Sequence, residues 1–249
     1  SVGADGLILL EGSDRADFRM AYLNADGSRG EFCANGTRCL ARFAQSNGIV
    51  GAQMAIETDA GIVPAQVDGE IVTLSLAGPD RVERSKKIGL AGGPVSGAFM
   101  WVGVPHFVIF RDDDLWFVNV EAIGREIRKH PDLQPDGANV NFVRVRSTHE
   151  FEVRTYERGV EAETLACVSG VVASVSASAL AGIVDSPVSV LTRSGVRLNV
   201  TVHRDGDRVQ GLTLSGDARI VFRGTMTPDT IAGFDPEWVR NPTSSRAHT

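Results

Sequence analysis

Cys33-Ala34-Asn35-Gly36 and Cys167-Val168-Ser169-Gly170 are one four-residue frame written twice, once in each half of a 249-residue chain. Each follows a turn-forming stretch that carries acidic residues, and each opens a run that reads as a helix, over 34–46 and 168–183. Outward from the first frame, short apolar runs punctuated by Gly, Asp and Asn predict strands at 7–11, 18–23, 53–58, 62–67 and 70–76. A polar connector is expected over 77–87, with Lys86 and Lys87 in a solvated loop. Strands resume at 95–102, 107–111, 140–145, 150–157, 188–191, 197–203, 208–215 and 218–223. A third helix is predicted over 118–130.

Several strands thus surround one apolar helix in each half, and each such helix starts at a cysteine. The repeat is architectural and not a tandem repeat of sequence. The expected fold is α+β, with two pseudo-symmetric lobes. Each lobe is a curved, mostly antiparallel sheet or barrel around a central helix, and the active site lies in the cleft between them. The first lobe is expected to hold 1–85 with about 214–230, the second 86–213, and residues 231–249 form a tail.

Composition narrows the function. With 25 Lys and Arg against 31 Asp and Glu, the net charge is −6 and the pI about 5.4. That balance argues against nucleic acid and anionic membrane as partners. No apolar run approaches the roughly 18–20 residues a bilayer span needs, and no signal peptide is visible, so a cytoplasmic enzyme acting on a small molecule is expected. Three cysteines (33, 39 and 167) are too few for a disulfide scaffold, and neither they nor the five scattered histidines have zinc-ligand spacing. The chain has three lysines, none placed as a Schiff-base lysine would be, so no cofactor and no metal are expected.

A helix N-terminus presents unpaired N–H groups and the positive end of a dipole; it lowers a thiol's pKa and binds carboxylates. Two such ends with a cysteine at each are suited to one task. A substrate carboxylate held between them has its α-carbon flanked by two sulfurs, one to remove the α-proton and the other to supply one from the opposite face. A free cysteine is more often a small buried hydrophobe, which is the reading given to Cys39. For Cys33 and Cys167 the matched frames outweigh it.

The stretch NADGSRGEFCANGTRCLARF (24–43) closely resembles the first active-site segment of the diaminopimelate epimerase family, and YERGVEAETLAC (156–167) resembles the second. Pro105-His106 and Asn139-Val140-Asn141-Phe142 match two further family segments in the right order. The resemblance implies a cofactor-independent epimerase that interconverts LL- and meso-diaminopimelate in lysine and peptidoglycan precursor synthesis; a homodimer is one assembly open to the chain, and the sequence leaves its oligomeric state undecided. It makes Cys33 and Cys167 the acid/base pair, with Glu157 and His106 supporting the reacting centre. Backbone N–H groups of Ala34, Asn35, Val168 and Ser169 would hold the reacting carboxylate, and Asn24, Asn139 and Arg158 the distal end of the substrate. Family chains begin with an extra segment that carries a substrate-binding Asn, and on this reading the sequence starts in mid-domain, after it.

Three departures fall at the site. Ala34 stands where the family has Gly, Val168-Ser169 where it has Gly-Thr, and Val104 where it has Asn. Val168 is expected to crowd the carboxylate pocket and to be strained were its φ positive; Val104 removes a polar contact to the substrate's distal end. Two rivals follow: a racemase for another amino acid, and a catalytically silent amino-acid-binding homologue.

Overall fold

In a computed structural model of the chain the described residues are 4, 6–30, 32–225, 227 and 229; the expected tail, 231–249, lies outside them. The first half runs β1 (Gly6–Glu11), β2 (Phe18–Asn24), β3 (Arg29–Gly30), α1 (Ala34–Ser46), β4 (Gln53–Thr58), β5 (Gly61–Asp68) and β6 (Ile71–Ala77). Next come β7 (Asp80–Leu90), β8 (Gly93–Val102), β9 (Val104–Phe110) and α2 (Val120–Arg128), the last flanked by 3-10 turns at Leu115–Phe117 and Pro131–Leu133. The second half runs β10 (Asn139–Ser147), β11 (Glu150–Glu157), β12 (Ala162–Thr164), α3 (Val168–Leu180), β13 (Val188–Leu191), β14 (Arg197–Asp205) and β15 (Arg208–Asp217).

The internal repeat is plain in the pairing. In the first half β1 and β3 each pair antiparallel with β2, α1 crosses over, β4 returns parallel to β2, and β5 and β6 follow as an antiparallel meander. The second half repeats every step: β10 and β12 on β11, α3 across, β13 parallel to β11, then β14 and β15. One sheet joins the halves in the order β1-β2-β4-β5-β6-β15-β14-β13-β11-β10-β9-β8-β7. That order is a palindrome about the β6·β15 ladder, extended at one end by β7–β9. At the centre Leu74 opposes Leu214, both fully buried, and Thr73 and Ser215 share a 2.7 Å hydroxyl contact. The path ends at β1 and β7 and does not close, so the barrel alternative is corrected to an open sheet.

Why α3 is central follows from its sequence. Val, Ala and Ser fill it, and it is buried over 170–179 without a polar face, as a helix wrapped by sheet requires. Two of its buried hydroxyls turn to their own backbone: Ser174 donates to Gly170 O at 2.7 Å and Ser178 to Ser174 O at 2.8 Å. In contrast, α1 is amphipathic, burying Ala34, Gly36, Thr37, Leu40, Ala41 and Ala44 and leaving Cys39 and Phe43 exposed.

Three expectations are corrected. The polar connector 77–87 is mostly strand, since β6 extends to Ala77 and β7 starts at Asp80; its Lys86 pairs with Glu83 at 3.1 Å. A sheet-edge strand exposed on both faces over most of its length shows no hydrophobic alternation to read. The strand at 218–223 is absent, and the apolar run Ile220-Val221-Phe222 is exposed. The helix over 118–130 shortens to Val120–Arg128, with Asn119 capping it by accepting from Ala122 N.

Candidate active site

Each cysteine is the N-cap of its helix, extended in backbone (φ −139°, ψ 101° for Cys33; φ −109°, ψ 107° for Cys167) so that the chain turns into the helix just after it. Cys33 Sγ accepts from Gly36 N at 3.4 Å, and Cys167 Sγ meets Ser169 Oγ at 3.4 Å. The glycine at the fourth place of each frame has a steric cause. A Cβ at Gly36 would lie 2.5 Å from Ile8 Cδ1, and one at Gly170 would lie 2.3 Å from Asn141 Oδ1 and 3.1 Å from Thr155 Oγ1. Both helix starts are therefore pressed onto the sheet. They also reach each other, since Asn35 Nδ2 donates to Ala166 O at 3.4 Å, one residue before Cys167.

The two sides differ in surroundings. Cys33 is half-buried among apolar neighbours, whereas Cys167 is buried beside Ser169 and Glu157, and Gly170 after it rests against a polar cluster. At the core of that cluster lies His106, fully buried on β9. Asn141 Nδ2 is 3.2 Å from its Nδ1, and Asn139 Nδ2 is 3.5 Å from its Nε2. Asn141 Oδ1 in turn accepts from Thr155 Oγ1 at 3.0 Å, and Asn139 Oδ1 accepts from Arg158 N at 2.7 Å. Burial above all, with the Arg158 cation adding to it against the Asn141 hydrogen bond, holds His106 neutral by pushing its pKa down to about 3.

Burial also decides the state of Cys167. Its thiol is pushed up to about 12, first by desolvation and then by the Glu157 carboxylate, and the hydrogen bonds from Ser169 and Gly170 N do not offset this. The expectation that a helix N-terminus lowers a thiol's pKa is thus overturned at Cys167, because removing the sulfur from water costs its charged form more than the helix end returns.

The remaining expected residues are placed as follows. Glu157 ends β11, half-buried beside Cys167, and Arg158 follows with its guanidinium 3.2 Å from Asp136 O. Ala34 and Val168 are the first residues of α1 and α3 and sit in the main apolar core. Val168 is therefore helical, without a positive φ, and its side chain is buried in packing, so the strain expected of it does not arise. Asn24 lies at the mouth of the 24–28 turn, where its Nδ2 donates to Ser28 Oγ at 3.0 Å; none of its hydrogen bonds among the described residues reaches either cysteine. Val104 opens β9 opposite Val102, half-buried.

Sequence reasoning missed two members: Asn141 and Thr155. Asn141 was open to inference, since in a strand it shares a face with Asn139 two residues away. Among the described residues no group of three or more His, Cys, Asp or Glu side chains is placed to hold a metal ion, and no helix is long and apolar enough to cross a membrane.

The fold is that of the proline racemase type. A probable proline racemase from Agrobacterium radiobacter K84 superposes with a TM-score of 0.66 at 17% identity, covering 93% of this chain and 77% of that one. A hydroxyproline epimerase from Agrobacterium vitis gives 0.64 at 20% identity, covering 86% and 74%. Sequence narrows the class further. The family model described as diaminopimelate epimerase matches residues 1–79 and 99–221, and the chain belongs to that family. The diaminopimelate epimerase of Aquifex aeolicus is 44% identical over 235 residues, covering 92% of this chain and 82% of its own length. That of Methanothrix thermoacetophila is 42% identical over 245 residues, covering 92% and 82%.

Proposed function

We propose that the chain epimerises LL-diaminopimelate to meso-diaminopimelate by two-base proton exchange between Cys33 and Cys167. The observation that carries this reading is the arrangement of the two thiols. Each is the N-cap of a helix start, and the starts are joined by the 3.4 Å contact from Asn35 to Ala166. The free N–H groups at Ala34 and Asn35 and at Val168 and Ser169 hold the reacting carboxylate between the positive ends of α1 and α3. A thiolate on one side takes the α-proton as the carbon–hydrogen bond breaks, and the thiol on the other side delivers its proton to the opposite face. The centre inverts, and the protonation states of the two sulfurs are exchanged. Cys167, held protonated by burial and Glu157, starts as the donor. Neutral His106 braces the strand face on which the start of α3 rests. Asn24, Asn139 and Arg158 take the distal amino-acid end of the substrate.

The two halves of the topological repeat meet along the β6·β15 ladder. The enzyme works in the cytoplasm as a homodimer on a free amino acid, with neither nucleic acid nor membrane as partner. Chiral separation of products after incubation with LL-diaminopimelate tests the activity: meso product is expected, and its absence contradicts the proposal. A second reading, inversion of a different amino acid, is carried by Val104, which offers no polar group to the distal end. A panel of L-amino acids separates the two.

A further inference from the structure

We infer that Arg38 is a positioning residue for the two-cysteine site, fixing the side-chain amide of Asn35 so that it ties the start of α1 to the approach to α3. The inference rests on the proposed epimerase reading and adds to it a residue that touches neither substrate nor thiol.

Arg38 lies within α1, only 6% exposed, and its guanidinium lies over Gly216 of β15. A Cβ at Gly216 would stand 3.4 Å from Nε and 3.6 Å from Cζ, so the guanidinium packs in van der Waals contact over this position. Nη2 donates to Asn35 Oδ1 at 2.9 Å, while Nε and Nη1 have no hydrogen-bond partner among the described residues. The Asp217 carboxylate, whose charge acts on Arg38, pairs with Arg219 at 2.7 Å. A buried guanidinium with two idle donors is a net cost to folding. Unrecovered cost of this kind is expected where a group serves the site and not the fold.

What Arg38 does for the site follows from hydrogen-bond polarity. Arginine can only donate, so the atom of Asn35 facing it must be Oδ1, and Nδ2 is turned outward. Turned that way, Nδ2 reaches Ala166 O at 3.4 Å. With the amide reversed, a carbonyl oxygen would face a carbonyl oxygen and the contact would repel. Arg38 therefore selects the one orientation of Asn35 that bridges the helix starts. Their spacing sets whether both sulfurs reach one carbon, and an error of about 1 Å in such placement costs on the order of a hundredfold in rate.

The test compares Arg38→Met, Arg38→Lys, Asn35→Leu and the double variant Arg38→Met/Asn35→Leu with the unmodified protein, using LL-diaminopimelate. Arg38→Met is expected to lower kcat about ten- to a hundredfold with KM within about threefold, while thermal stability holds or rises. The double variant is expected to be no slower than the slower single one, because both break one bridge. Arg38→Lys keeps the charge and one donor and recovers part of kcat; should Met at this site not fold, Lys and Asn35→Leu carry the comparison. Full kcat in a folded Arg38→Met or Asn35→Leu variant, or losses that multiply in the double variant, overturns the inference. The Asn35 side-chain amide, followed by NMR hydrogen exchange, is expected to be protected in the unmodified protein and exposed in Arg38→Met; equal protection in both overturns the inference whatever the activity. Failure of the epimerase reading is a separate result, visible as an unmodified protein that yields no meso product.

Discussion

The backbone of Gly170 rests against the side chain of Asn141 so closely that a methyl group there would stand 2.3 Å from Asn141 Oδ1. That oxygen is committed to Thr155, and the amide nitrogen beside it lies against His106. The start of α3, and with it Cys167, is thus set on a fixed polar floor. Gly170→Ala is expected to cost about 1–3 kcal/mol and to cut kcat by about tenfold or more, since the floor cannot yield without breaking its hydrogen bonds. Gly36→Ala meets Ile8 Cδ1, the far end of a flexible side chain, and should be milder on both counts. Denaturant melts and initial rates on the two variants read the difference.

Cys167 should resist alkylation in the free protein. With its pKa pushed up to about 12, the thiolate fraction at pH 8 is about one in ten thousand, and burial slows the reagent further. Peptide mapping after iodoacetamide treatment is expected to show Cys167 unmodified long after a free small-molecule thiol has reacted.

Glu157 contributes to that resistance by placing a negative charge beside the sulfur. Glu157→Gln removes the repulsion, so the Cys167 pKa falls and its alkylation rate at fixed pH rises severalfold. An unchanged rate would remove Glu157 from the electrostatics of the site.

His106 is expected to weaken the fold as the pH falls. Its pKa is about 6.5 unfolded and about 3 folded, so the unfolded state binds the extra proton. This contribution is fully present above pH 6.5 and is lost as the pH falls toward 3, at a slope approaching about 1.4 kcal/mol per pH unit. Unfolding free energies measured across that window should show the slope, and His106→Gln should flatten it.

How much of this was legible in the sequence differs by element. The start of α1 at Ala34 and of α3 at Val168 could be read because a cysteine frame, a turn and an apolar run coincide there. The matched topology of the halves was legible only as a pattern of strands around two helices; the palindromic order needs pairing partners, which no local signal encodes. The strand β7 was hidden because its faces are exposed along most of its length, and the run 220–222 misled because apolar residues without a partner strand look like a strand. Arg38 was invisible because an arginine in an amphipathic helix reads as a surface residue, and only its burial against Gly216 shows otherwise.

Val168 teaches the same lesson in reverse. Strain was expected there were its φ positive, but it is helical and buried in the main core at the first turn of α3. Val168→Gly should therefore cost about 2–4 kcal/mol through the lost packing and the added backbone freedom, without raising kcat. Thermal melts and steady-state rates check both halves of that statement.

The central claim is proton exchange at one carbon between two thiols, and its most direct measurement is isotope incorporation. Incubated with LL-diaminopimelate in D₂O, the unmodified protein is predicted to place deuterium at the α-carbon of the meso product, and Cys33→Ala and Cys167→Ala each to abolish product formation. Meso product formed without deuterium, or formed at an undiminished rate by either cysteine variant, would contradict the two-base account.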